Sequence, residues 1–139
     1  MFFFTPIHYV AVLAAALSSM VVGFLWYSPL LFAKPWMKLS GLDEKSMNAA
    51  KKNMPIPYTA SFLMSLVMAY VIALLINSLL VATLAEGLML GGLVWLGFIA
   101  TTMVTGVLFQ RVVWKLFFIN SVYQLVSVLV MSAILTLWI

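Results

Sequence analysis

The feature that most limits how this chain can fold is where its charges are missing. No Asp, Glu, Lys or Arg occurs in residues 1–33, 53–85, 87–110 or 116–139. These windows hold 33, 33, 24 and 24 residues, and about 20 apolar residues are enough to cross the hydrocarbon of a bilayer. Within lipid the backbone must satisfy its own hydrogen bonds, which leaves helices or closed barrels. Barrel strands alternate in polarity over about ten residues, and these runs do not. The expected fold is all-α: an integral membrane four-helix transmembrane bundle forming one domain over residues 1–139. Its helices are expected near 7–27, 58–80, 87–109 and 116–138, with a cytoplasmic loop over 28–57.

Composition agrees. Hydrophobic residues make up 66% of the 139 and charged residues 7%, against about 45–50% and about 25% in soluble domains. So little polar surface does not cover a core of that size in water, so the first expected partner is the lipid bilayer. Cysteine is absent, which excludes disulfides and thiolate metal sites. The net charge of +4 does not point to nucleic acid, because the basic residues flank the spans instead of forming a soluble patch.

Their placement predicts orientation. Lys34, Lys38, Lys45, Lys51 and Lys52 lie between the first and second spans, and Arg111 and Lys115 between the third and fourth. The remaining connection carries only Glu86. By the positive-inside rule both basic connections face the cytoplasm, and both termini are non-cytoplasmic. The first span has no basic residue before it, unlike a cleaved signal peptide, and is expected to be retained. Trp26, Tyr27, Trp36 and Trp114 gather at the expected cytoplasmic interface, with Tyr9 and Trp138 near the other.

In the 28–57 connection, Ser28-Pro29 and Lys34-Pro35 disfavour helix continuation. Asp43 is a plausible N-cap for a short helix to about Asn53, ended by Pro55 and Pro57. Its lysines could reach anionic headgroups.

Two spans carry small residues at every fourth position. The first has Ala11, Ala15, Ser19 and Gly23; the second has Ser61, Ser65, Ala69 and Ala73. Such rows let backbones approach closely, so these helices are expected to pack on each other. The third span adds Gly87/Gly91 and a row of Gly97, Thr101 and Thr105. On the fourth, Asn120, Tyr123, Gln124 and Ser127 share one face. An amide facing lipid would leave its polar groups unpaired, so that face is expected to point into protein or a wet cavity.

Catalytic and metal-binding sets are missing. His8 is the only histidine and is read as an interfacial hydrogen-bonding residue. The carboxylates, Asp43, Glu44 and Glu86, all lie outside the spans, so no acid pair works within the membrane and no Ser–His–Asp set is assembled. No enzyme activity and no cofactor are expected. A weak internal echo relates residues 31–39 to 108–116, as if two hairpins had been fused.

Trp26-Tyr27-Ser28-Pro29-Leu30-Leu31-Phe32 followed by Lys34 and Trp36-Met37 resembles a family of small bacterial membrane proteins called domain of unknown function 1761. Leu66-Val67-Met68-Ala69-Tyr70, Trp95-Leu96-Gly97-Phe98, Ala100-Thr101-Thr102, and Ile119-Asn120 with Tyr123 extend the similarity along nearly the whole chain. The resemblance implies a four-helix protein of the bacterial inner membrane and no established activity. The expected role is that of a structural or accessory subunit, or a homo-oligomer, held by small-residue helix packing and contacting other membrane subunits. The alternative is a homo-oligomeric channel or carrier for a small solute, its route lined by Asn120, Tyr123, Gln124, Ser127, Thr101, Thr105 and Tyr70.

Overall fold

The computed structural model describes residues 7–28, 33–40, 55–111 and 113–138. It is all-helical over these residues: α1 (Tyr9–Trp26), α2 (Ala33–Ser40), α3 (Pro55–Ser78), α4 (Leu84–Gln110) and α5 (Trp114–Leu137). Within α4, Trp95–Ala100 is π-helical. All but α2 are long and apolar enough to cross a membrane. The short helix expected near 43–53 lies outside the described residues.

Two helix starts depart from expectation for one reason. α2 occupies part of the connection that the prolines were expected to keep non-helical, and α3 begins at Pro55, ahead of the expected 58. Pro35, Pro55 and Pro57 all sit in a first helical turn. There the missing N–H has no intrahelical partner to lose, and the fixed φ suits the helix. The echo between 31–39 and 108–116 does not extend to conformation either. Trp36 lies inside α2, whereas Arg111 is left-handed at φ 56° and Trp114 opens α5.

The helix ends are closed by local chemistry. Nδ1 of His8 accepts from the backbone N–H of Ala11 at 3.4 Å, capping α1. Thr83 Oγ1 accepts from the N–H of Glu86 at 3.2 Å, while the Glu86 carboxylate accepts from that of Ala82 at 3.1 Å. This reciprocal arrangement resembles a capping box, and it gives the one described carboxylate a structural job. α3 ends with Val81 N–H donating to Ile76 O and Leu80 N–H to Asn77 O, a Schellman pattern with Leu80 left-handed at φ 56°.

Hydropathy alone does not say which face of such helices points inward, since every face is apolar. Side-chain size does. On α1, Ala11, Ala15, Ala16 and Ser19 are buried while Leu13, Leu17, Val21 and Phe24 are exposed. On α3, Ala69 and Ala73 are buried with Ile72 and Ile76, while Leu63, Val67 and Val71 are exposed. In lipid, apolar burial gives little net drive between helices, so close backbone approach and van der Waals packing take its place.

α5 is the hub. α1, α3 and α4 all pack on it, and α2 touches it. The hydrophobic core joins Ala11, Val12 and Ala15 of α1 and Ala69, Ile72, Ala73 and Ile76 of α3 to Val128, Met131 and Leu135 of α5. These residues occupy one half of the bundle, towards the end where the His8 ring meets Trp138 at 5.9 Å. The other half is built differently.

Candidate functional site

At the end opposite His8, α1 and α3 part. The tight pairing of small residues holds through Ala15 and Ala69, both fully buried. It reaches Ser19 and Ser65, whose hydroxyls lie 3.3 Å apart. Beyond them Ser61 and Ala60 are exposed, and the nearest group to Gly23 is the phenol of Tyr123 from α5, 3.1 Å from where a Cβ would stand. The expected rows therefore run together for part of their length and then open into a crevice floored by α5.

Two adjoining cavities fill it. One of about 380 Å³ is lined by Gly23, Phe24, Tyr27, Trp36, Tyr58 and Tyr123, among others. The next, of about 360 Å³, is lined by Ser19, Met64, Ser65, Met68 and Gln124. Ser61 and Tyr123 border both, so the two cavities adjoin at these side chains.

Its aromatic mouth is a network. The Tyr27 ring meets that of Trp36 at 5.4 Å and that of Tyr123 at 5.3 Å, both edge-on, and Phe24 meets Tyr58 at 5.3 Å. Edge-to-face geometry is the favourable arrangement of ring quadrupoles. The Tyr27 hydroxyl donates to Asn120 Oδ1 at 2.6 Å. Tyr27 is the first residue past α1; burial, and then the neighbouring Tyr123 phenol, push its phenol above the ordinary tyrosine value. It therefore remains a protonated donor, as the bond to Asn120 requires.

Two indoles pin the surrounding helices to α5. Trp26 Nε1 donates to the carbonyl of Ile119 at 2.9 Å, and Trp95 Nε1 to that of Ser121 at 2.8 Å. A carbonyl has two lone pairs, so a helical oxygen can take an indole donor besides its own N–H partner.

Of the residues expected along one polar route, Tyr123 and Gln124 line the crevice, and Asn120 is tied to it through Tyr27. Ser127 is buried, and its hydroxyl has no hydrogen-bond partner among the described residues. Thr101, Thr105 and Tyr70 are exposed on outer faces, away from the others. The Thr101 hydroxyl donates to Gly97 O at 2.9 Å and that of Thr105 to Thr101 O at 3.1 Å, so each bonds within its own helix. Within one copy of the chain these three therefore do not share a face with Asn120, Tyr123 and Gln124. The cause is the π-helical stretch: each i→i+5 turn uses about one residue more than an α turn, about 100° of rotation. Gly87 and Gly91 face α5, where they abut Thr136 and Ser132. After the extra rotation Ala100 and Val107 are the buried positions, and the Gly97 row is turned away.

Sequence reasoning assigned Tyr27 and Trp36 only to an interfacial belt and missed their convergence with Asn120 and Tyr123. Their presence in the same family-like segments was the available signal. Among the described residues, no group of three or more His, Cys, Asp or Glu could hold a metal.

A family model described as "Protein of unknown function (DUF1761)" matches residues 10–136. No curated protein and no solved structure matches the chain.

Proposed function

We propose a function from this chain's own residues, since it belongs to the DUF1761 family of proteins of unknown function and that membership brings no activity with it. The protein is an integral scaffold or accessory subunit of the bacterial inner membrane. It recruits a further membrane helix, from a second copy or another subunit, onto the outer face of α4. The observation that carries this reading is the poor coverage of α4: 11% of its most apolar stretch is buried, against 39% for α5. Its uncovered side presents Gly97, with nothing within 4 Å of a built Cβ, followed by Thr101 and Thr105 with hydroxyls already satisfied. A surface so thin and so little in need of polar partners suits close helix docking in lipid.

The channel or carrier reading draws less support. Asn120 is engaged by Tyr27, and the hydroxyls of α4 lie on the other side of the bundle. Catalysis draws none from the site chemistry.

The test uses the absence of native cysteine. A single Thr101→Cys should cross-link under mild oxidant in native membranes, while Leu17→Cys on the outer face of α1 should not. A product at twice the 15.4 kDa chain mass identifies a second copy, and another mass a different subunit. Equal cross-linking at both positions, or none at Thr101, overturns the reading.

Orientation is proposed with both termini outside, supported by the basic connections. Thr83→Cys should react with a membrane-impermeant thiol reagent in sealed cells, and Ser46→Cys only after the membrane is opened. The reverse pattern sinks the orientation.

A further inference from the structure

The crevice between α1 and α3 has features that helix packing does not require. An apolar wedge between two spans would serve lipid tails equally well, yet this one is floored by hydroxyl and amide groups. Ser61, Ser65, Tyr123 and Gln124 line it within a bundle whose other half is closed by aliphatic side chains. Its walls at Met20, Phe24 and Met64 are apolar. Such a lining fits a molecule with a polar head and a hydrocarbon body.

Charge selects among such molecules. α2 lies across the mouth, with Trp36 on the cavity and in contact with Tyr27. Lys34 and Lys38, one helical turn apart, are both exposed. Lys115 lies in the first turn of α5 at the same end, where Trp26 bonds to Ile119. The one described carboxylate, Glu86, is at the opposite end of the bundle. α3 also begins at the mouth, with Tyr58 in its first turn and no acidic residue there, so the positive end of its dipole is not neutralised by its own side chains. The neutral groups on the lining offer hydroxyl and amide donors. The connection that carries α2 also holds Asp43 and Glu44, but its five lysines leave it net positive, so the surroundings favour an anion.

We propose that the α1–α3 crevice binds the headgroup end of one anionic phospholipid of the surrounding bilayer. The phosphate lies at the mouth between Tyr58 and α2, within the field of Lys34 and Lys38. The glycerol and ester region meets Ser61, Tyr123 and Gln124, and an acyl chain follows Phe24, Met20 and Met64. The site rests on the bilayer placement proposed above and is independent of what docks on α4.

The test places the full chain in phosphatidylcholine nanodiscs and exchanges in phosphatidylglycerol brominated on its acyl chains. Tryptophan emission is compared with the same titration using brominated phosphatidylcholine. Half-quenching should require about fivefold less of the anionic lipid, the ratio that one cationic side chain near an anionic headgroup provides. Ser61→Phe, and separately Ala60→Phe, fill the crevice at exposed positions and should abolish the preference. Val67→Phe on the outer side of α3 should retain it, and Lys34→Gln with Lys38→Gln should shrink it. Melting curves identify any filling variant that has lost its fold, and the other then decides. Coincident titrations for the two lipids overturn the site. A preference that survives both filling variants also overturns it, because surface charge alone would then explain it. Loss of the preference on adding inorganic phosphate would replace the lipid by a soluble anion. Absence of quenching by either lipid would instead sink the bilayer placement.

Discussion

Gly91→Ala is expected to lower the melting temperature in detergent by an amount typical of an overpacked core, about 1–3 kcal/mol, with Gly91→Val beyond that range. A Cβ at Gly91 would stand 2.6 Å from Ser132 Oγ and 3.2 Å from its Cβ, with the Val128 carbonyl at 3.4 Å. The carbonyl distance is ordinary contact, so the clash is with the Ser132 side chain: its hydroxyl must rotate away, and its Cβ yields only if α4 and α5 separate by a few tenths of an ångström. Gly92→Ala is the matched control, since nothing lies within 4 Å of its built Cβ. Removal of a helix-interior glycine there should be neutral or stabilising by up to about 1 kcal/mol. Ser132→Ala removes the closest atom, one without a hydrogen-bond partner among the described residues, and should restore part of the loss in the Gly91→Ala background. Equal losses at positions 91 and 92 would mean that α4 does not seat on α5 through this contact.

The second large effect concerns Asn120. Asn120→Leu leaves the half-buried Tyr27 hydroxyl without its acceptor and should cost about 1 kcal/mol. Tyr27→Phe strands the amide in the same way. The double variant should lose less than the sum, because neither orphan remains. Gln124→Leu, on the crevice floor, should cost less than Asn120→Leu. Swelling of liposomes carrying the protein tests the competing reading in the same samples. Flux should stay at background for wild type and variants. Clear wild-type swelling that vanishes in a fully stable Asn120→Leu/Gln124→Leu variant would replace the scaffold by a pathway, since an apolar constriction dewets.

These two contacts differ in how far they could be read from residues alone. The spans were legible because a charge-free window of more than 20 residues has few physical solutions. Gly87 and Gly91 were legible as a close-packing row because spacing of four holds within one α-helical stretch. The continuation to Thr101 and Thr105 was not, because spacing carries direction only while the helical period stays constant, and Trp95–Ala100 changes it. The prolines at 35, 55 and 57 misled for a related reason: their effect depends on position within a helix, which is what was being inferred. The Tyr27–Asn120 bond joins residues 93 apart, and membrane-interface enrichment already accounted for a tyrosine and tryptophans at that depth.

The arrangement around α5 also has a consequence for biogenesis. A chain leaves the ribosome from its N-terminal end, so in the proposed bilayer placement α1, α3 and α4 enter the membrane before the helix on which they pack exists. Until then the pair α1 and α3, with Ser19 against Ser65, is the largest assembly open to them, and α4 has almost nothing to rest on. Insertion and folding are thereby separated in time. In that placement the earlier spans stay loosely tethered until α5 is made. The arrival of α5 then closes core, crevice floor and α4 seat in one event.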